Sequence, residues 1–284
     1  MEQNTHTSNA ASVATPAVTL RPIGDLLNSA FTEYTAHLNT AFFIVLPPAA
    51  CFAIVTALSL MYRTADVQSA LLEGIVTLIG ATLAVFAAIG IMEEIKFGWT
   101  LSAPAAYEAA RPYFWPVVWV SLLTMLIIVG GSLLFIIPGI IFCILLSFSR
   151  FAVIMDDMRG FDSLSFSHAL VRNVWFPVLW RTLAMAIIIG IVSFIASKIP
   201  YVNIVVPFFS IPFSIIYMVS VYNDLKAKQA VTKEAVIGKN RSLYMSFVVI
   251  GALGIPIILT IIGYILLNFA MMNVGPVPGQ ILPM

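Results

Sequence analysis

The chain has 284 residues, of which 61% are hydrophobic and only 10% are charged, and its formal net charge is +1. An average soluble domain carries about 25% charged residues. This composition and a mean hydropathy of +1.01 exclude an ordinary soluble domain and indicate a protein that crosses a membrane several times. A balance this close to neutral gives no reason to expect a nucleic-acid partner.

The first 20 residues differ from the rest. They are rich in Thr, Ser, Ala and Asn, and they contain neither Lys nor Arg. They also lack an apolar core of signal-peptide length. We predict that residues 1–20 form a disordered tail.

Seven charge-poor windows follow, each long enough for a membrane helix. In the fifth, only 16 uncharged residues separate Arg181 from Lys198, so Arg181 is expected to reach toward the lipid headgroups. We predict an all-α polytopic transmembrane bundle with a six-helix domain over 21–228, a basic cytoplasmic loop over 229–242, and an additional helix with a short tail over 243–284. The predicted spans are 40–62, 74–92, 116–137, 139–156, 176–197, 201–223 and 243–269.

Between Arg111 and Arg150 the chain runs 38 residues without Asp, Glu, Lys or Arg. As one helix this run would reach roughly 57 Å, nearly twice the roughly 30 Å hydrocarbon core. It must therefore turn back. Pro138-Gly139 is the predicted turn, since Pro lacks an amide donor and Gly tolerates tight turns.

The cationic residues predict the orientation. With the N-terminus in the cytoplasm, 12 of the 14 Lys and Arg residues lie on the inner side, and only Arg63 and Lys198 lie outside. Short cytoplasmic loops carry such an excess. We therefore predict a multi-pass protein of a bacterial inner membrane with a cytoplasmic N-terminus.

A sequence unit recurs before the third and fifth spans. The segments AARPYFWPVVW (109–119) and LVRNVWFPVLW (170–180) share Arg, Pro, Val and Trp at a constant offset of 61 residues. A weaker counterpart, with Leu26, Ala30 and Tyr34 at helical spacing, precedes the first span. The pattern predicts three parallel units, each an amphipathic helix at the cytoplasmic interface that leads into a span. Chance similarity between interfacial segments is the alternative.

The stretch FIIPGIIFCILLSFSRFAVIMDDMRGFDSLSFSHALVRNVWFPV (135–178) resembles the hairpin, acidic loop and following helix of YciC-like bacterial membrane proteins. The same pattern occurs in the membrane domain associated with glycerophosphoryl diester phosphodiesterases. VYNDLKAK (221–228) is similar to the end of that domain's sixth span. The resemblance implies a six-helix membrane domain. Two features depart from the family pattern. Arg150 stands at a position that is expected to be uncharged, and the seventh span lies beyond the usual end of the family's domain.

A group of charged residues is predicted to meet near the inner membrane face. A charge at membrane depth costs about 2.5 to 3.5 kcal/mol at the helix centre, so Arg150 needs a partner, water or headgroup access. We hypothesise that Arg150 pairs with Glu93 or Glu94 and lines, with Arg181, a recess for a lipid phosphate. Snorkelling of Arg150, with the acids capping helix ends, is the alternative. The predicted recess comprises Arg150, Arg181, Glu93, Glu94, Asp156 and Asp157.

Nothing in the sequence predicts an enzyme. The three histidines and the free Cys51 and Cys143 show no triad order and no metal-ligand spacing. The basic stretch 225–242, with five cations against one acid, is expected to act as a positive-inside anchor near anionic lipid. We expect no cofactor and no bound metal.

The leading functional prediction is therefore a non-catalytic membrane protein of the bacterial envelope that interacts with membrane lipids or acts as a scaffold. A membrane-protein partner or a homo-oligomer is left open. The rival is a transporter or permease subunit for a hydrophobic or lipid-like substrate, which requires a polar cavity between spans. Proline kinks at Pro47-Pro48, Pro207, Pro212 and Pro256 would free carbonyls toward such a cavity, and the Gly130-Gly131 pair is expected to permit close helix packing.

Overall fold

A computed structural model describes residues 20–61, 67–199, 202–229 and 231–273. Every regular element in these ranges is helical, which confirms the predicted all-α class. A 3-10 turn (Arg172–Val174) joins the seventh and eighth helices. The α-helices are α1 (Ile23–Ala36), α2 (Leu38–Met61), α3 (Val67–Lys96), α4 (Ala103–Leu134), α5 (Ile136–Leu145), α6 (Ser149–Asp156), α7 (Phe161–Val171), α8 (Trp175–Ala196), α9 (Val202–Gln229) and α10 (Arg241–Asn273).

Within the residues that the structure describes, seven helical segments are long and apolar enough to cross a membrane, as predicted. The fourth combines α5 and α6, and the fifth runs from α7 through α8. The predicted disordered tail (1–20), the turn carrying Arg63 and the last residues of the C-terminal tail fall outside the described ranges, apart from residue 20.

The deepest part of the core lies where α6, α7 and the second half of α9 meet. Phe148, Phe166, Tyr217 and Tyr222 are all less than 2% exposed there. In contrast, most of α8 and α10 presents Ile, Leu and Phe side chains at the protein surface. Such an apolar surface is expected of helices that face lipid.

The turn between the third and fourth spans differs from the prediction. Phe135, in an extended conformation (φ −160°, ψ 147°), separates α4 from α5. Pro138 lies in the first turn of α5, where an amide donor has no helical acceptor. Gly139 serves packing instead of the turn, because a Cβ there would overlap Ser132 on α4.

The repeated sequence unit does not give a repeated shape. Residues 109–119 continue without a break into the span of α4, whereas residues 170–180 pass from α7 through the 3-10 turn into α8. The weaker counterpart, α1, is a separate helix, and its apolar face packs on α9, where Tyr34 and Phe213 have ring centroids 6.1 Å apart. The helix α7 is largely buried by neighbouring helices instead of lying on the surface.

A tyrosine hydroxyl replaces a backbone hydrogen bond that proline removes from α2. Pro48 has no amide N–H to donate to the Ile44 carbonyl four residues earlier. The Tyr107 hydroxyl of α4 donates to this carbonyl at 2.7 Å. A freed carbonyl thus finds a partner inside the protein, as the bilayer requires.

Glycines bring α10 against α4. A Cβ at Gly251 would overlap the Leu126 carbonyl oxygen, and one at Gly130 would overlap the Phe247 carbonyl oxygen. The predicted role of Gly130 in close helix contact is therefore confirmed. The seventh span packs directly along the third.

We predict that Tyr107→Phe destabilises the protein by about 1 to 3 kcal/mol, because the buried Ile44 carbonyl loses its hydrogen-bond donor. Thermal unfolding in detergent measures the change. Tyr264→Phe is the matched control, since that side chain is exposed on α10. Equal stabilities of the two variants would contradict the assigned role of Tyr107.

We predict that Gly251→Ala destabilises the protein by about 1 to 3 kcal/mol, because the added methyl group forces two helix backbones apart. Gly263→Ala, on the same helix with nothing within 4 Å of its Cβ, should have no such effect. Thermal unfolding of both variants provides the comparison. A loss of stability in Gly263→Ala as large as in Gly251→Ala would rule out the close α4–α10 contact as the cause.

Candidate functional site

The fourth span is broken near its middle. The helix α5 ends at Leu145 and α6 begins at Ser149, so three residues between them leave the helical path. Ser167 of α7 provides hydrogen-bond partners for the backbone at the break. Its hydroxyl donates to the Leu145 carbonyl at 2.7 Å and accepts from the Phe148 amide at 3.2 Å. Non-helical backbone at membrane depth persists only where protein or water satisfies it.

Arg150 is the second residue of α6, directly after this break. Its side chain is exposed, although the residue lies within a predicted span. It forms no hydrogen bond and no ion pair with the residues that the structure describes. The positive end of the α6 dipole adds to the guanidinium charge at this point.

The Arg150 side chain lines an open cavity of about 690 Å³, to which α3, α4, α5, α6, α8 and α9 contribute residues. We call it the Arg150 cavity. Arg150 is the only charged residue among the described residues that line it, and six others carry hydroxyl groups. These are Ser121, Thr124, Ser147, Ser149, Thr182 and Ser214.

The hydroxyl groups that line the cavity differ in whether they have a hydrogen-bond partner. Thr124 and Ser149 lie within hydrogen-bond distance of each other, with 3.2 Å between their oxygens. The Thr182 hydroxyl is buried and has no hydrogen-bond partner among the described residues. The cavity therefore offers a cation, free hydroxyl capacity and no carboxylate, a combination suited to an anion.

The predicted pairing of Arg150 with Glu93 or Glu94 is not present. Glu93, only 2% exposed, instead forms an ion pair with Lys96 at 3.4 Å, one helical turn further along α3. Lys96 also donates to the Tyr113 hydroxyl at 3.2 Å and to the Ile154 carbonyl at 3.0 Å. Lys96 lies three residues after Glu93 on the same face of α3, so Glu93 pairs with it and not with Arg150.

Glu94 points to another part of the molecule. It is fully buried, and one of its carboxylate oxygens accepts from the Leu101 amide at 3.2 Å in the loop between α3 and α4. The neighbouring Trp99 stacks on His37, with 4.6 Å between ring centroids. Glu94 thus helps to order the α3–α4 loop and is not part of the Arg150 cavity.

The two aspartates hold the end of α6. Asp156 is 5% exposed and accepts from the Tyr222 hydroxyl and the Lys226 ammonium, each at 2.5 Å. The Lys233 ammonium donates to its backbone carbonyl. Two cations of the predicted lipid anchor, at 226 and 233, are therefore engaged by protein groups.

Asp157 ends α6 in a left-handed conformation with φ 55°. Its carboxylate accepts from the Tyr113 hydroxyl at 2.6 Å. This hydrogen bond is the main cause that lowers the pKa of Asp157, and the nearby Lys96 acts in the same direction. The carboxylate is therefore held in its charged form at the end of the helix that carries Arg150.

Arg181 also lies outside the Arg150 cavity. It is 9% exposed and donates to the Arg21 carbonyl at 2.6 Å and to the Pro177 carbonyl at 3.0 Å. Arg21 in turn pairs with Asp224 at 2.8 Å. Of the six residues predicted to form one recess, only Arg150 lines the cavity, and the other five order the surrounding helix ends.

Sequence reasoning missed the hydroxyl groups of the cavity and the role of Ser167. Ser121 and Thr124, spaced three apart in an otherwise apolar helix, were a usable signal, since such a spacing places both on one face. Ser167 gave no comparable signal. Its importance depends on a break that contains neither Pro nor Gly.

Comparison with models of protein families, with curated proteins and with solved structures finds no match for this chain.

We predict that Ser167→Ala destabilises the protein by about 1 to 3 kcal/mol, because a buried carbonyl and a buried amide both lose their partner. Ser163→Ala is a matched control on the same helix, since the Ser163 hydroxyl donates only to the Gly160 carbonyl at the start of α7. Thermal unfolding in detergent compares the two. A smaller loss in Ser167→Ala than in Ser163→Ala would contradict the repair of the break by Ser167.

Proposed function

We propose that this integral membrane protein binds an anionic lipid through its phosphate in the Arg150 cavity and serves the bacterial envelope by binding, without catalysing a reaction. The observation that carries the proposal is the guanidinium of Arg150, which lines a hydroxyl-rich cavity and has no hydrogen-bond or ion-pair partner among the described residues.

The energetic argument starts from the cost of an isolated charge at membrane depth, about 2.5 to 3.5 kcal/mol. A bound anion offsets this cost. The planar guanidinium fork fits two oxygens of one phosphate, and hydroxyls such as that of Thr182 can donate to a third. The α6 dipole favours negative charge at the same place.

The distribution of cations supports an inner-membrane location with a cytoplasmic N-terminus. Arg21 meets Asp224, and Lys226 meets Asp156, so the start of α1 and the ends of α6 and α9 lie at one end of the bundle. Lys96 joins them through the Ile154 carbonyl. By the positive-inside rule this cationic end is the cytoplasmic one.

The resemblance to the YciC-like family, carried by FIIPGIIF and the acidic loop after it, belongs to the same proposal. It favours a six-helix membrane domain over residues 21–228. The groups of the Arg150 cavity support a binding role, since a guanidinium and hydroxyls alone provide no general base near neutral pH.

A transporter for a lipid-like anion is the second candidate, and the broken fourth span favours it. Transporters commonly form substrate sites where a membrane helix is interrupted and a half-helix N-terminus points at an anionic group. Here the N-terminus of α6 and Arg150 meet at such an interruption. Movement of lipid between the two leaflets of proteoliposomes separates this candidate from binding alone.

The test of the proposal is lipid occupancy of the purified protein, measured by native mass spectrometry with added phosphatidic acid. We predict that Arg150→Ala lowers occupancy by roughly tenfold to a hundredfold, since a hydrogen bond to a charged group contributes about 1.5 to 3 kcal/mol. Arg150→Lys should retain part of the binding, because it keeps the charge and loses the fork.

Arg111→Ala is the matched control. It removes the same charge from an exposed position on α4, away from the cavity, and should leave occupancy unchanged. Phosphatidylcholine, which is zwitterionic, should bind weakly to all variants. Equal phosphatidic acid occupancy in wild type and Arg150→Ala would refute the proposed site.

A further inference from the structure

A second cavity, of about 440 Å³, lies between α2, α3 and α9. Its walls are almost entirely apolar, and we call it the apolar cavity. Thr56 carries the only side-chain hydroxyl among the described residues that line it, and this hydroxyl donates to the Phe52 carbonyl of its own helix at 2.9 Å. The cavity therefore offers no unsatisfied side-chain polar group to a ligand, which suits a hydrocarbon chain.

Proline residues contribute to this space. Pro48 of α2 and Pro207 of α9 both line the apolar cavity. Each removes a helical hydrogen bond, so each helix can bend at this level. The Tyr107 hydroxyl donates to the Ile44 carbonyl, which Pro48 leaves without a helical donor, so this carbonyl is not an unsatisfied polar group beside the apolar cavity.

The two cavities adjoin each other. Ile211 lines both of them. On α3, the adjacent Ala87 and Ala88 line the apolar cavity and the Arg150 cavity respectively. Each volume falls within the roughly 300 to 1,000 Å³ that is usual for small-molecule sites.

We infer that the two cavities form one site for a long-chain phosphate, with the phosphate at Arg150 and a hydrocarbon chain that passes Ile211 into the apolar cavity. This inference rests on the proposed function and names the ligand's shape. It separates a lipid phosphate, which has such a chain, from a free phosphate ester, which has none.

Small side chains make room for the chain. Ala49 is 6% exposed and lines the apolar cavity, whereas its neighbour Ala50 is exposed on α2 and is not among the lining residues. A larger side chain at position 49 would occupy space that the hydrocarbon needs. The same change at position 50 adds bulk only on the exposed side.

The experiment measures binding of two probes to the full-length protein in nanodiscs. One probe is a monoacyl glycerol phosphate with a long saturated chain, and the other is glycerol phosphate without a chain. We expect Ala49→Leu to weaken binding of the long-chain probe by about tenfold or more, as expected when a filled space must accept extra methyl groups. Binding of glycerol phosphate should not change.

Ala50→Leu is the matched control and should bind both probes like wild type. Ile211→Trp, at a residue that lines both cavities, should also weaken binding of the long-chain probe, and thermal unfolding of each variant reports whether it folds. Retained glycerol phosphate binding also reports an intact Arg150 cavity.

Two outcomes would overturn the inference and leave the proposed function standing. One is an equal effect of Ala49→Leu and Ala50→Leu on the long-chain probe, which would place the chain elsewhere. The other is equally tight binding of both probes to wild type, which would favour a free phosphate ester. Unchanged binding of both probes in Arg150→Ala would instead refute the proposed function itself.

Discussion

The bilayer supplies no hydrogen bonds to the backbone, and this constraint shapes the molecule more than any other. Each interruption of a membrane helix must find its polar partners within the protein. At Pro48 the partner is the Tyr107 hydroxyl, and at the break between α5 and α6 it is the Ser167 hydroxyl. Because these two side chains satisfy the backbone, the helices can be irregular at the places where the two cavities lie. The same hydrogen bonds that stabilise the fold therefore also maintain the cavities.

The spans were predictable because their signal is local. A run of about 20 apolar residues is sufficient to identify a membrane helix, and the absence of charge between Arg111 and Arg150 required a hairpin. The turn lies at Phe135, three residues before the predicted Pro138. Proline is also common in the first turn of a helix, so Pro138 indicates the start of α5 and not the position of the turn between the spans.

The site was predictable only in part. Arg150 was identified because a charge in an apolar run is costly, which is a property of one residue. Its surroundings depend on contacts between distant parts of the chain, such as Tyr113 with Asp157 and Tyr222 with Asp156. The ion pair of Glu93 with Lys96 is different, because the i,i+3 spacing of the two residues is visible in the sequence and predicts that they pair.

The local engagement of the acids leaves Arg150 as the only charged residue among the described residues that line the Arg150 cavity. Lys96 neutralises Glu93, and hydrogen bonds or ion pairs hold Asp156 and Asp157 at the end of α6. An internal carboxylate beside Arg150 would cancel its charge and fill the space. Because the nearby acids are engaged by other groups, the anionic ligand that we propose would supply the charge that balances Arg150. The same contacts hold the end of α6, so the backbone of the helix that carries Arg150 needs little further ordering when a ligand binds.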